Sequence, residues 1–155
     1  MSGRGRVGPV ARALGFAGLL PQVAVIVDAL LAPDGQQDIN RSMSGLALVY
    51  AAVILSFLGG MWWSMAMRRT TGQAWLAGAA VLPSLTAFGS FVFLDANWQR
   101  DWALIVVGSA IIFTLFVDRH LATTGEAPEG WMRLRVPLSL GLGGLTIAAG
   151  VLAGG

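Results

Sequence analysis

Few residues of this chain could do chemistry inside its long apolar segments, and the most informative is one carboxylate. Asp28 lies about one helical turn from the end of the first apolar segment, 10–32. A carboxylate in hydrocarbon is costly and often marks a path for protons or ions. No basic residue occurs at a comparable depth, and an acid this close to the interface can also reach water or a neighbouring helix. Asp28 therefore leaves a transport role and a structural role open.

Two prolines inside apolar segments each have a polar neighbour. Gln22 follows Pro21 and Ser84 follows Pro83. A proline removes one helical hydrogen bond and bends the helix, so a polar side chain beside it can line a site or cover the freed carbonyl. Together with Asp28, these residues form a candidate polar site inside the membrane. The alternative is that they only hydrogen-bond between helices.

Charged and aromatic residues mark the expected segment ends. Asp118, Arg119 and His120 are expected to end the fourth apolar segment as a charged cap at the interface. Trp62 and Trp63 are expected to lie in the interfacial belt of tryptophans, with ligand stacking as the alternative. His120 as a base or metal ligand is a further alternative. The remaining charges near the C-terminal segment are expected to be solvated loop charges and topology markers: Glu126, Glu129, Arg133 and Arg135.

The composition excludes several kinds of catalytic and metal site. The sequence has no cysteine and one histidine, so disulfides, thiolate ligation and a haem held by two histidines of one chain are excluded. No hydrolase, zinc-protease or phosphate-loop motif occurs. We therefore expect no enzyme, catalytic residue, metal or cofactor. No basic stripe with interleaved aromatics is present, so we expect no nucleic-acid partner.

The elements that carry these residues are predicted to be membrane helices. The chain is 55% hydrophobic and 12% charged, against about 25% charged in an ordinary soluble domain. Apolar runs of about 18 residues or more predict helices that cross a bilayer. The sequence thus predicts an all-α, polytopic membrane protein with one helical domain over 1–155. Its five spans are expected at about 10–32, 45–67, 73–94, 102–117 and 134–153, the fifth beginning near Pro137.

The arginines predict the topology. With the N-terminus in the cytoplasm, eight arginines fall on that side and only Arg41 and Arg100 on the other. This asymmetry is typical of the positive-inside rule, and it places the C-terminus on the opposite side. The eight are Arg4, Arg6, Arg12, Arg68, Arg69, Arg119, Arg133 and Arg135. We expect the inner membrane of a bacterium, with the mitochondrial inner membrane as the less favoured alternative.

The second span carries small residues at a spacing of four. Ala52, Ser56, Gly60 and Ser64 recur in this way, with Gly59 beside them. Small side chains on one helix face let another helix backbone approach closely. We therefore expect this span to be a central packing helix.

The sequence of this span resembles a known family. The segment 50–63, YAAVILSFLGGMWW, resembles the signature of the DUF3429 family of small integral membrane proteins of unknown function, found in bacteria and with mitochondrial relatives. Three further stretches are similar to its pattern: LGFAGLLP at 14–21, LPSL at 82–85 and WMRLRVPL at 131–138. In the family's pattern, glycine-glycine and an apolar residue precede histidine-tryptophan-glycine. Here Trp62 stands in the place of the histidine and Ser64 in that of the glycine. The resemblance implies no biochemical activity.

These observations favour a non-enzymatic function. The leading hypothesis is an accessory or self-assembling subunit whose partners are the lipid bilayer and other membrane helices, in a homo-oligomer or a membrane complex. The alternative is a small oligomeric transporter or channel for a proton, ion or small solute. A membrane enzyme acting on a lipid or quinone through His120, Asp118 or Asp28 ranks third.

Overall fold

The structure is a computed structural model that describes residues 6–31, 37–95 and 99–154. For residues 37–41 it describes the backbone but not the side chains. Apart from one isolated bridge between Arg6 and Glu129, the described regular structure is helical. The helices are α1 (Pro9–Ala17), α2 (Leu20–Leu31), α3 (Gln37–Ala66), α4 (Gln73–Gly89), α5 (Arg100–Thr123) and α6 (Trp131–Gly154). A π-helical segment, Ser90–Asp95, continues α4.

Five stretches of 23 to 25 residues are long and apolar enough to cross a membrane. They are Pro9–Leu31, which combines α1 and α2, then Ser42–Ala66, Gln73–Asp95, Arg100–Thr123 and Trp131–Gly154, with mean hydropathies of 1.7 to 1.9. The predicted all-α fold with five such helices is confirmed. The predicted end of the first span at Ala32 lies outside the described residues.

Two helices extend beyond the predicted spans. The helix that carries the fourth predicted span, α5, continues past Val117 through Asp118 to Thr123. The fifth begins at Trp131, so Pro137 lies inside α6 instead of at its start. In both helices the additional residues include charged ones, which are typical of loops. Asp118 and Arg135 are in fact buried within the helices.

The first span is interrupted near Pro21, as the sequence predicts. The break between α1 and α2 falls at Gly18 and Leu19, because Pro21 has no N–H to donate to the carbonyl four residues before it. The Tyr50 hydroxyl of α3 donates a hydrogen bond of 2.6 Å to the carbonyl oxygen of Gly18. A side chain from the central helix thus satisfies a backbone group at the break.

Close helix packing depends on glycines at the contacts. A Cβ atom on Gly108 of α5 would lie 2.7 Å from the carbonyl oxygen of Gly143 on α6, and the reverse distance is also 2.7 Å. On α3, a Cβ atom on Gly59 would collide with the carbonyl oxygen of Ala80 on α4. Two pairs of backbones therefore approach too closely for any side chain, in the way that small residues permit in membrane helices.

The chain termini and loops separate into two ends of the bundle. The N-terminal segment meets the α5–α6 connection, where the Val7 amide donates to the carbonyl oxygen of Glu129 at 3.2 Å. Arg69, after α3, pairs with Glu126 in the same connection at 2.5 Å between Nη2 and Oε1. We call this end, with the N-terminal segment, the α3–α4 turn and the α5–α6 connection, the arginine end. The opposite end carries the pair of Arg100 and Asp95, at 2.5 Å between Nε and Oδ1.

Candidate functional site: a buried ion pair

A buried ion pair joins α5 to α6 inside the bundle. The Arg135 Nε donates to the Asp118 Oδ2 at 2.7 Å. Asp118 is 0% exposed and Arg135 6% exposed. Asp118 lies five residues before α5 ends at Thr123, and Arg135 four residues after α6 begins at Trp131. Because the two helices run in opposite directions, these positions bring the charges to the same depth.

Two further side chains form hydrogen bonds with the pair. The Trp62 Nε1 donates to the other carboxylate oxygen, Asp118 Oδ1, at 3.0 Å. The Arg135 Nη2 donates to the Thr114 Oγ1 at 3.2 Å, and that hydroxyl donates to the carbonyl oxygen of Ile111 at 2.6 Å. We call Trp62, Thr114, Asp118 and Arg135 the buried cluster. It ties α3, α5 and α6 together through side chains.

The arginine also contacts an aromatic ring. The Arg135 Cζ lies 5.9 Å from the centre of the Trp131 ring, one turn earlier on α6. This distance is within the range of a cation–π contact. The face of the Trp131 ring therefore stabilises the Arg135 charge, which is removed from water.

The geometry of the buried cluster favours a fixed structural role. Each carboxylate oxygen of Asp118 already accepts one hydrogen bond, and the guanidinium beside it balances its charge. A lone buried charge costs several kcal/mol, and removing one partner of a buried pair costs about 3–5 kcal/mol. A proton transfer at Asp118 would leave Arg135 as such a lone charge. The cluster is therefore suited to fixing the register of three helices.

The predicted interfacial set is corrected for two of its five members. Trp62 is 2% exposed and Asp118 is fully buried, so neither lies at the surface of the bundle. The indole N–H of Trp62 and the carboxylate of Asp118 form a hydrogen bond with each other, which is the physical reason that both residues can be buried. The other three, Trp63, Arg119 and His120, are exposed. His120 makes an edge-on contact with the Trp75 ring, at 5.1 Å between ring centres.

Arg135 belongs to the cluster although the sequence predicts it among the solvated loop charges; the structure buries it. One signal was available in the sequence: an acid near the end of one apolar segment and a base near the start of the next. Opposite charges at matching depth on successive antiparallel helices can pair. Placing the end of α5 at Val117 hid this match.

The predicted polar site divides into separate environments. Gln22 is 1% exposed, and its Nε2 donates to the Thr146 Oγ1 at 2.7 Å and to the carbonyl oxygen of Ala47 at 3.2 Å. This amide joins α2 to α3 and α6. Asp28 is half-buried, six residues farther along α2. Within the described residues, the Gln22 Oε1 and the Asp28 Oδ2 are buried without a hydrogen-bond partner.

The two prolines and the serine of that site do not join it. Pro21 and Ser84 are exposed, and Pro83 is buried in the contact between α4 and α3. A Cβ atom on Gly59 would lie 3.3 Å from the Pro83 Cγ. Pro83 therefore packs against the α3 backbone, and Ser84 points away from the bundle.

The predicted packing row on α3 turns gradually out of the bundle. Ala52 is buried, Ser56 half-buried, and Gly60 and Ser64 are exposed. A step of four residues advances about 40° around a helix with 3.6 residues per turn, so three steps turn the row by about 120°. Within the chain, the contact with α4 is made by Gly59, while Gly60 has no described atom within 4 Å of a Cβ built on it.

The fold and the site together define a class: an all-helical bundle of five apolar helices of membrane-spanning length, fixed internally by a buried ion pair. The chain belongs to the DUF3429 family, described as a protein of unknown function, which matches residues 7–152. The resemblance seen in the sequence is thereby confirmed over nearly the whole chain. No curated protein and no solved structure is found to match it.

Proposed function

We propose that this protein is a non-enzymatic, multi-pass protein of a bacterial inner membrane that works by binding other membrane helices. Its N-terminus would lie in the cytoplasm and its C-terminus on the opposite side. It would act as an accessory or self-assembling subunit, either in a homo-oligomer or in a larger membrane complex.

The observation that carries this proposal is the outward face of α3. Gly60 and Ser64 lie one turn apart on this face and are exposed, although α3 contacts four other helices, α2, α4, α5 and α6. The side chains beside them are large: Phe57 is 62% exposed and Trp63 is 47% exposed. Together these residues form a shallow notch between two aromatic rings. Such a notch accepts a ridge of another helix at close range.

The state of the buried polar groups also supports a non-catalytic role. Asp118 and Arg135 neutralise one another, Trp62 donates a further hydrogen bond to Asp118, and Thr114 accepts one from Arg135. A general acid or base needs access to the proton that it transfers. Asp118 is 0% exposed, and the buried cluster is suited to structure instead.

The test is to fill the notch and measure assembly. Gly60→Leu should abolish the homo-oligomer or the protein partner that native mass spectrometry detects after purification in mild detergent. Gly78→Leu is the matched control, since Gly78 is also an exposed helical glycine with no described atom within 4 Å of a built Cβ. Assembly that is unchanged in Gly60→Leu, or equally lost in Gly78→Leu, would contradict the proposal.

A small transporter or channel is the second candidate, and one observation favours it. The Gln22 Oε1 and the Asp28 Oδ2, both on α2, are buried polar atoms without a partner among the described residues. Unsatisfied acceptors of this kind can receive a proton, an ion or water. In liposomes, Asp28→Asn should then abolish a flux that the unmodified protein shows. The absence of any flux in the unmodified protein would remove this candidate.

A further inference from the structure

A groove opens sideways between α4 and α5, with α3 as its floor. Both helices pack on α3 more extensively than on each other. The groove has a volume of about 190 Å³, and its lining includes Leu55 and Trp62 from α3, Ala79 and Pro83 from α4, and Val117 from α5. Leu82 and Phe113, which also line it, are 61% and 64% exposed. An apolar groove at this position faces the hydrocarbon of a bilayer.

A second, polar cavity of about 570 Å³ lies at the arginine end. It is lined by Arg68 and Arg69 after α3, Thr70 and Thr71 in the following turn, and His120 and Glu126 from α5 and its connection. In contrast to the groove, most of its lining residues carry charges or hydroxyl groups. It lies where the headgroups of a bilayer would be if the five helices span the membrane.

The polar cavity follows the groove along α3 and α5, the two helices that contribute to both. On α5, Phe113 and Val117 line the groove, and His120 and Thr124 line the cavity. Residues at spacings of three and four lie on one face of a helix, so this row is continuous. On α4 the row of groove residues continues to Trp75, whose ring meets His120 at 5.1 Å between centres. The polar cavity therefore lies about one helical turn beyond the groove.

Of the two arginines that line the cavity, one has no acidic partner among the described residues. Arg69 and Glu126 form two hydrogen bonds, of 2.5 and 2.7 Å, and neutralise each other. The hydrogen bond from Arg69 lowers the pKa of Glu126, so this acid stays ionised and paired at neutral pH. Arg68 is exposed and forms no ion pair within the described part of the chain. The polar cavity thus carries a spare positive charge beside the hydroxyls of Thr70 and Thr71.

We propose that the groove and the cavity together form a binding site for an anionic glycerophospholipid. One acyl chain would lie in the α4–α5 groove, and the phosphate would bind the Arg68 guanidinium and the neighbouring threonine hydroxyls. The groove volume of about 190 Å³ is about six times the roughly 30 Å³ that one water molecule occupies in the liquid, and its mostly apolar lining suits a stretch of one hydrocarbon chain. The charge at Arg68 favours a lipid with net negative charge over a zwitterionic one.

The lipid site and the helix-binding notch of the proposed function consist of different residues. The notch at Gly60 lies on the outward face of α3, whereas α3 contributes only Leu55 and Trp62 to the floor of the groove. Loss of lipid binding and loss of assembly can therefore be measured separately, with Arg68 variants for one and Gly60 variants for the other.

The experiment compares phosphatidylglycerol with phosphatidylcholine of the same acyl chains. The purified full-length protein is titrated with each lipid in detergent and bound lipid is counted by native mass spectrometry. Lipids brominated on the acyl chain are added in parallel to a variant in which the five other tryptophans are replaced by phenylalanine, so that quenching by bromine reports on Trp62. We expect phosphatidylglycerol to bind more tightly and to quench at lower concentration. Equal retention and equal quenching by the two lipids would overturn the proposal.

Two kinds of variant assign the site. Arg68→Gln should weaken phosphatidylglycerol binding about five- to tenfold, as expected for the loss of one arginine at a membrane surface. Arg133→Gln is the matched control, because Arg133 is exposed at the start of α6 and does not line the cavity. Ala79→Leu should fill the groove and reduce quenching. If that variant is unstable, Ala110→Leu fills the groove from α5. An equal loss in Arg68→Gln and Arg133→Gln would overturn the assignment.

Discussion

Asp118 is a charged residue near the end of a helix that the fold places in the interior of the molecule. Its position in α5 looks like that of a terminal charge, but its carboxylate is fully buried and hydrogen-bonded from two different helices. The pair that it forms with Arg135 is not by itself a source of stability, since burying two charges costs about as much as their attraction returns. Its value is specificity, because a bundle with a different register would leave both charges unpaired.

Breaking this pair should be much more costly than replacing it. Asp118→Asn leaves the Arg135 charge buried without a counter-charge, and we expect it to lower the free energy of unfolding by about 3–5 kcal/mol. The double variant Asp118→Leu, Arg135→Met removes both charges and should recover most of that loss. The measurement is equilibrium unfolding of the detergent-solubilised protein.

A surface pair provides the control for this prediction. Glu126→Gln breaks the pair with Arg69. Because the Arg69 and Glu126 side chains are 13% and 30% exposed, this variant should lower the free energy of unfolding by no more than about 1 kcal/mol. If the double variant were as unstable as Asp118→Asn, the Asp118–Arg135 pair would stabilise the protein by more than the mutual neutralisation of its two charges. If Asp118→Asn cost as little as Glu126→Gln, the burial of the cluster would be contradicted.

Trp62 stands at the position where this chain departs from the family pattern that its sequence resembles, and its contacts explain what the departure changes. That pattern has a histidine where Trp62 stands. In the structure, Trp62 is buried and its indole N–H donates to Asp118. An imidazole N–H can make the same kind of hydrogen bond. The departure therefore keeps a donor toward the carboxylate and replaces a small ring by a larger one.

At the scale of the helices, the contact between α5 and α6 depends on two glycines that face each other. Gly108→Ala would place a methyl group 2.7 Å from the carbonyl oxygen of Gly143, which forces the two helices apart. Overpacking of this kind costs about 1–3 kcal/mol. Because the same contact brings Asp118 to Arg135, we expect a loss at the upper end of that range, measured by equilibrium unfolding.

The matched control is one position beyond the partner glycine. Gly144 is exposed, and a Cβ atom built there meets no described atom within 4 Å. Gly144→Ala should therefore stabilise the protein slightly, by up to about 1 kcal/mol, through helix propensity alone. The same methyl group is thus expected to have opposite effects at Gly108 and Gly144. Equal effects at the two positions would show that the close approach does not limit stability.

The elements themselves were largely predictable from the sequence, and their ends were not. Five apolar runs of sufficient length predict five helices because the only requirement is one of length and hydropathy. The ends depend on whether a charged residue faces water or a partner on another helix. Asp118 and Arg135 have partners more than ten residues away, which a local reading does not reveal. The same limit explains Gly59 and Gly60, whose different surroundings depend on where α4 lies.

At the scale of the whole molecule, the described arginines are divided between the two ends of the bundle. The Arg69–Glu126 pair and the hydrogen bond from Val7 to Glu129 bring the N-terminal segment, the α3–α4 turn and the α5–α6 connection to one end. This arrangement is the one that the arginine count requires. Arg4 lies outside the described residues, and the side chain of Arg41 is not described. The proposed orientation, with the arginine end in the cytoplasm, follows from the positive-inside rule.

Because the chain contains no cysteine, single cysteines can test this orientation directly. Thr70→Cys and Thr124→Cys place exposed thiols at the arginine end, and Gln99→Cys places one at the opposite end. In intact bacterial cells, a membrane-impermeant maleimide should label only Gln99→Cys, and the other two should react only after the inner membrane is opened. The structure adds a stricter condition, since Thr70 and Thr124 line the same cavity and must respond alike. Labelling of both from outside would reverse the proposed orientation, whereas labelling of one without the other would contradict the arrangement of α3 and α5 itself.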